Sequence, residues 1–449
     1  MLRIWFPFFL CAAGTYTACR LRLFCYLHPG MTVRWLLSGE RHEGGGYSPV
    51  RALCLALAGT LGVGNITGVA AAILLGGPGA LFWMWVSALC TMLIKYAEVY
   101  LAVITRQKIR DGGGTRYAGG PMQYLRQLPG GAVWSVLFCL LCIGASFLQG
   151  NLLQSTAALS CVTDTFAVHP VPTALVFSLA AAILIFGGRG RIASFCSAMI
   201  PLLSVLYTVM GLTVILRNAA SVPAVLAVVF RDAFSMRALG VGGGASMLLA
   251  MRHGCAKGVF THEAGCGTAP ISHAGAETAC PEKQAVLGIA EVFVDTMVLC
   301  TITGLVLLLS GVGSMEIGAV YDYQAVVLGA FRMWFGDAAA VFITVSIVFY
   351  AFAALVCWSF YGTECLRYLL SDCGEIVTAR GVTVYLSLYV LCTFLGVWTE
   401  AAGLWQISDV LTMAMTALNT CGVMVLLRYV KVPMRQTKNK KTIDSTRQL

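Results

Sequence analysis

The sequence predicts an all-α integral membrane protein, and three observations carry that reading. Of its 449 residues, 58% are hydrophobic and only 11% are charged, against about 45–50% and about 25% in ordinary soluble domains. Eleven apolar runs are long enough to cross a bilayer, which takes about 17–25 residues each. Setting the first aside leaves two sets of five, each with a glycine-interrupted helix at its head, the pattern of an inverted repeat with a site between its halves.

The runs lie near residues 4–27, 50–75, 80–105, 131–161, 170–187, 198–216, 241–272, 284–311, 338–362, 382–397 and 404–427. The first has Arg3 as its only early positive charge and no clear A-x-A site behind it, so it reads as a retained helix rather than a signal peptide. The runs at 131–161 and 241–272 are long enough to tilt or break. The chain is therefore expected to be one polytopic membrane domain over 1–449. It comprises an extra N-terminal helix in 1–30, five-helix repeats over 50–217 and 240–427, and a basic tail over 428–449.

Between the runs, Gly76–Gly79 reads as a tight turn, and residues 106–129 as a polar loop carrying DGGG at 111–114. GGPMQYL (Gly119–Leu125) and residues 222–238 read as interfacial helices lying on the membrane. With the C-terminus inside, the inside loops and tail hold 20 Lys and Arg, against Arg217, Arg231, Arg237 and Arg332 outside. The N-terminus is then expected outside. This bias accounts for the net charge of +10 without nucleic acid as a partner; the basic tail reads as a topology signal, with anionic lipid as an alternative partner. The 18 Cys are scattered through apolar runs. Cys139 and Cys142 have C-x-x-C spacing but sit mid-span, where thiols pack as small hydrophobes.

The stretch GTLGVGNITG (Gly59–Gly68) sets Gly59, Gly62 and Gly64 beside Asn65 inside an apolar run. A helix in lipid satisfies its own backbone, so these residues break it and free amides and carbonyls for another partner. Half-helix N-termini turn amides toward an anionic group, and unwound carbonyls face a cation. A second interruption, THEAGCGTAP (Thr261–Pro270), stands at the matching place in the other half.

Asn65 and Gln154 lie in apolar surroundings, either as interhelical glue or as ligand-binding amides. Lys95, Glu98, Arg252, His253, Lys257, His262, Glu263, Glu291, Asp295 and Glu364 fall within or near spans, where ionisable groups are paired or functional. Lys95 and Glu98, three apart, suit an intrahelical pair. Asp295 either pairs with Arg252 or Lys257 or accepts a proton or cation. No metal site is expected: HEAGC is not HExxH, and His262 and His273 do not share a helix face. GVGNITG has Thr67 where a dinucleotide fingerprint needs its third Gly, and no nucleophile with base and orienting acid stands out. An enzyme and a bound cofactor are thus not expected.

The segments GVGNITGVAAAILLGGPGALFWMWV (62–86), KYAEVYLAV (95–103), GGPMQYL (119–125), QGNLLQSTA (149–157), HGCAKGVFTHEAGCGTAPISHA (253–274), FVDTMVLCTITGLV (293–306) and WSFYGTE (358–364) resemble the alanine or glycine:cation symporters, over about residues 50–427. The resemblance implies a leucine-transporter-like fold of five-plus-five inverted helices with one extra N-terminal helix, in a bacterial inner membrane. It implies uptake of a small neutral amino acid, alanine or glycine, driven by a monovalent cation, usually sodium. Gly62, Val63, Gly64 and Asn65 would hold the substrate carboxylate, and Gln154 would line the pocket. Carbonyls of Ala58 and Leu61 would face sodium against the helix of 338–362.

Three departures stand out. Ala353 and Ala354 replace a Ser-Thr pair, removing two hydroxyls expected near that sodium. Val63 stands where a hydroxyl is common, and His262 where an Asn is usual. The leading expectation is secondary active symport by alternating access. The alternatives are proton coupling through His262, Glu263 or Asp295, and an amino-acid receptor that does not transport. A channel is not supported, since no ring-forming filter motif is present.

Overall fold

A computed structural model of the chain describes residues 2–37, 47–111, 114–235, 247–317, 322–399 and 401–433. The first residues of the run at 241–272, the centre of DGGG, Arg41, Arg237 and the tail from residue 434 onward lie outside the described residues.

The chain opens with α1 (Leu2–Arg20), α2 (Phe24–Leu27) and α3 (Pro29–Leu37). The expected span at 4–27 is interrupted at Arg22 and Leu23, whose φ values of 55° and 49° turn the chain. The first interrupted helix follows as α4 (Pro49–Thr60) and α5 (Thr67–Gly76), then α6 (Ala80–Thr105). Ser48 caps α4 by accepting the Arg51 amide at 3.1 Å, and Pro49 occupies its first turn. A hairpin of β1 (Gln107–Asp111) and β2 (Gly114–Ala118) leads to α7 (Pro121–Leu125).

The rest of the first half is α8 (Gly131–Phe147), α9 (Leu153–Phe166), α10 (Pro170–Ile185), α11 (Gly188–Arg217) and α12 (Val222–Ala233). The second half holds α13 (Met247–His262), α14 (Ala269–Ala274), α15 (Pro281–Val292), α16 (Thr301–Leu309), α17 (Tyr323–Phe335), α18 (Asp337–Leu369), α19 (Glu375–Leu395) and α20 (Ala401–Leu426). A π-helical segment, Leu148–Leu152, joins α8 to α9, and another, Phe293–Cys300, joins α15 to α16.

Among the described residues, seven helices are long and apolar enough to cross a membrane, and Pro49–Thr60, Thr67–Gly76 and Pro170–Ile185 are shorter apolar helices. Interruptions divide the runs at 4–27 and 50–75 and end the one at 241–272 in two pieces, while the run at 170–187 forms a single helix of 16 residues. Helices α6 and α18 are mostly buried and form the centre, whereas α11 and α19 turn most of their surface outward. Their outward side chains, such as Leu216, Ile376 and Val384, are apolar, as lipid requires and water does not.

Three local expectations are corrected. Gly119–Leu125 does not lie on the membrane surface, because Pro121, Met122, Tyr124 and Leu125 of α7 are buried, and Tyr124 donates its hydroxyl hydrogen to Asn419 of α20 at 2.6 Å. Residues 106–129 are not plain loop, since β1 and β2 pair antiparallel from Gln107–Ala118 to Asp111–Gly114. The helix containing 198–216 begins ten residues earlier, which brings Arg189 and Arg191 into its first turn.

Candidate functional site

The first break is built by its own backbone. Helix α4 ends at Leu61 (φ −77°, ψ 81°), Gly62 is extended, and Val63–Asn65 form one 3₁₀ turn before α5. The Gly62 amide, which would continue the helix by bonding to the Ala58 carbonyl, bonds to Thr60 instead at 2.9 Å. The Val63 amide turns sideways to Gln154 Oε1 at 3.1 Å. Gln154 therefore reads this break, and it donates its own amide to the Gln149 carbonyl at 3.2 Å in the π segment. Phe260 closes the other side: a Cβ on Gly64 would lie 3.1 Å from its ring.

Asn65 faces Asp295 across 230 residues of sequence. Its Nδ2 donates to Asp295 Oδ1 at 2.6 Å, and Thr296 donates to the other carboxylate oxygen at 2.8 Å. A carboxylate oxygen accepts, and in this arrangement the Asn65 amide presents its nitrogen to it. The consequence is an Asn65 Oδ1 that is buried without a hydrogen-bond partner. Thr303 takes the Asn65 carbonyl at 2.9 Å, and Thr261 lies 3.5 Å from Thr296. A buried, unpaired amide oxygen costs about 1–3 kcal/mol. Beside a carboxylate and several hydroxyl oxygens, it has the character of a hard-cation ligand.

The second break is sharper than the first. After α13 ends at His262, Glu263 takes φ 48°, and Gly265 and Gly267 take 83° and 90°. A left-handed Glu is strained, and two hydrogen bonds hold it. Thr268 donates to Oε2 at 2.5 Å, and Gln149 Nε2 donates to Oε1 at 3.2 Å. Gln149 thus links the two breaks, through Gln154 to Val63 and through its side chain to Glu263. His262 Nδ1 accepts the Ala264 amide at 3.0 Å, so this titratable departure serves the backbone of the break directly.

Helix α18 runs along α4 on another side of the first break. Cys357 Sγ contacts the Leu55 carbonyl at 3.1 Å, and Trp358 Nε1 donates to the Gly59 carbonyl at 3.3 Å. Ala353 and Ala354 are fully buried and bring only methyl groups from their side chains.

The other ionisable residues sort into pairs. Lys95 does meet Glu98 at 3.8 Å, but its shorter bond, 3.1 Å, goes to Glu291, which also holds His273 at 3.2 Å. The intrahelical reading was therefore too local, because α15 crosses α6 at this point. Lys257 does not pair with Asp295: its ammonium bonds to Asp409 of α20 at 2.8 Å and lies 4.2 Å from the Trp405 ring centre. No ion pair joins Asp295 to Arg252 among the described residues, and its carboxylate is left to Asn65 and Thr296.

Sequence reading missed both π segments, which hold Gln149, the link between the breaks, and Asp295, the partner of Asn65. A π turn inserts one residue without a compositional mark and often lies at a functional site. The QGN and VDT triplets inside apolar runs, at 149–151 and 294–296, are the signals that could have pointed to them.

The geometry can be set beside known proteins. The family model described as the sodium:alanine symporter family matches residues 1–448. The chain is 35% identical to the sodium/alanine symporter AgcS of Methanococcus maripaludis over 437 residues, covering 94% of this chain and 92% of that protein. It is 34% identical to an uncharacterized transporter of Haemophilus influenzae, covering 96% and 91%. Its fold resembles the crystal structure of MhsT in complex with L-phenylalanine, with a TM-score of 0.59 and 13% identity over 85% of this chain and 89% of that one. The chain thus shares the helical membrane fold of that structure. With the family model matched over almost its whole length, the chain belongs to the sodium:alanine symporter family and is a multi-pass membrane transporter, not an enzyme.

Proposed function

We propose that this chain imports a small neutral amino acid, alanine or glycine, together with a monovalent cation, sodium, by alternating access around the two broken helices. The observation that carries this reading is the buried, unpartnered Oδ1 of Asn65 beside the Asp295 carboxylate, at the edge of a break with redirected amides. The substrate carboxylate sits at Gly62, Val63 and Gly64, before the N-terminal end of α5, whose dipole favours an anion. The cation takes Asn65 Oδ1 and Asp295. Gln154 at Gly62 and Phe260 at Gly64 close in on the break so tightly that neither glycine could carry a side chain without displacing them, which supports a small substrate. A cation next to a carboxylate-binding break strengthens substrate binding, and linkage makes that effect mutual.

The other ion position, at the carbonyls of Ala58 and Leu61 against Ala353 and Ala354, keeps backbone oxygens but no hydroxyls, so it is the weaker of the two. The family match and the AgcS relative support sodium as the ion. The architecture is five plus five helices behind one extra N-terminal helix, eleven spans in all, in the bacterial inner membrane with the C-terminus cytoplasmic. The surplus of Lys and Arg on one side supports that orientation.

One observation favours proton coupling as a second reading: neither Asp295 nor Glu263 has an ion-pair partner among the described residues. Counterflow of labelled alanine and glycine in proteoliposomes, under separate sodium, potassium and proton gradients, tests both. Uptake that needs sodium supports the first. Uptake at full rate without sodium that collapses without a pH gradient would replace it with the second.

A further inference from the structure

At one end of the bundle, four elements meet on the outer edges of both broken helices. The residue leading into α4 is joined to the segment following α14: the Tyr47 amide donates to the Gly275 carbonyl at 3.1 Å, and the Glu277 amide to the Tyr47 carbonyl at 2.7 Å. The two interrupted helices are therefore tied together by backbone at this end. Arg106 fastens the same segment by donating to the carbonyls of Ala274 at 3.3 Å, Ala276, and Thr278 at 3.0 Å.

The β1–β2 hairpin lies across this junction. Arg189, at the start of α11, donates Nε to the Tyr47 hydroxyl at 3.0 Å and Nη2 to the Tyr117 carbonyl of β2 at 3.3 Å. Its guanidinium also faces the rings of Tyr47 and Phe360, at 5.1 and 5.6 Å. Arg116, also on β2, reaches Glu364 of α18 at 3.3 Å, and both side chains are mostly buried. Tyr117 stacks under Arg106, 4.1 Å from guanidinium to ring centre. The Arg116 and Arg189 fastenings join the hairpin or Tyr47 to α18 or α11, and Arg106 joins the end of α6 to the segment after α14. None of them contributes to the packing within a single helix, so they can release together without unfolding one.

We propose that the β1–β2 hairpin is a latch that holds the ends of the two broken helices shut, with Arg116–Glu364 and the Arg189 contacts to Tyr47 and Tyr117 as its fastenings. Access to the site from this end opens when they release. The proposal rests on the alternating-access reading for its purpose, but the opening itself can be measured without any transport. Because the contacts are partly buried charge and hydrogen-bond pairs, loss of one shifts the closed–open balance without abolishing the fold.

Hydrogen exchange of the full chain in lipid nanodiscs tests it, comparing wild type with Glu364→Gln, Arg116→Ala, Tyr47→Phe and the double exchange Arg116→Glu with Glu364→Arg. The expected result is about fivefold faster exchange at residues 47–56, 114–118 and 274–279 in the first two variants and about twofold in Tyr47→Phe, with α8 and α19 unchanged. The double exchange restores protection. The latch is overturned if those amides are unchanged in both Glu364→Gln and Tyr47→Phe, or if α8 and α19 speed up equally, which marks general loosening. Labelled alanine counterflow on the same preparations separates the two ideas: local opening in a wild type that never exchanges alanine keeps the latch and removes the transport reading.

Discussion

The first break has two unlike flanks. Toward α15 and α16 it meets Asp295, Thr296 and Thr303, and one amide oxygen, Asn65 Oδ1, is left without a partner. Toward α18 it meets Trp358, whose indole the Gly59 carbonyl already holds, and the buried Ala353 and Ala354 of that helix carry no hydroxyl. An apolar wall is complete as it stands, whereas an unpaired buried oxygen is a standing cost that a bound ion removes. The contrast teaches that polar groups suited to a cation can be gathered on one flank of a break while the other flank stays apolar and the break itself intact.

Replacing Asn65 by Ala attacks the polar flank directly. It removes both the free oxygen and the donor to Asp295, a charge-assisted bond worth about 1.5–3 kcal/mol. Alanine kcat/KM in proteoliposomes is expected to fall about 100-fold or more, and wild-type uptake would show that this flank is idle. Gln154→Ala comes next. It strands the Val63 amide, and a loss of about 10- to 30-fold in substrate affinity is expected from equilibrium binding, with thermal stability changed much less.

Gly150→Ala probes packing rather than ligand. A Cβ there would sit 2.2 Å from Cβ of Trp358, so a destabilisation of about 1–3 kcal/mol is expected in a thermal melt. The smallest effect should come from the apolar flank. Ala353→Ser with Ala354→Thr returns two hydroxyls and is expected to lower the sodium concentration for half-maximal uptake by about three- to tenfold, as one or two net hydrogen-bond-sized contacts would. No change would mean that these hydroxyls do not face the ion in this chain.

Much of this site could be read from the residues because its causes are local. Three glycines beside Asn65 in an apolar run cannot continue a helix, and the break falls at Gly62–Asn65 as expected. THEAGCGTAP likewise becomes the turn between α13 and α14. What stayed hidden depends on contacts far apart in sequence. Nothing near Asp295 tells that Asn65, rather than Lys257, is its partner, and nothing near Lys257 names Asp409. The hairpin was legible in principle, since a turn-forming DGGG lies between polar, strand-compatible segments, yet the loop composition masked it. The burial of α7 was not legible, because its enclosure comes from α20, almost 300 residues away by the Tyr124–Asn419 separation of 295.

The unequal flanks come down to whether Asp295 binds the cation. Labelled alanine binding to the purified wild type and to Asp295→Asn, titrated with sodium at constant ionic strength, measures this most directly. Sodium should tighten alanine binding at least tenfold in the wild type, and this dependence should disappear in Asp295→Asn while weak, sodium-independent binding remains. An Asp295→Asn protein with the sodium dependence of the wild type would contradict the assignment and return the ion to the α18 flank.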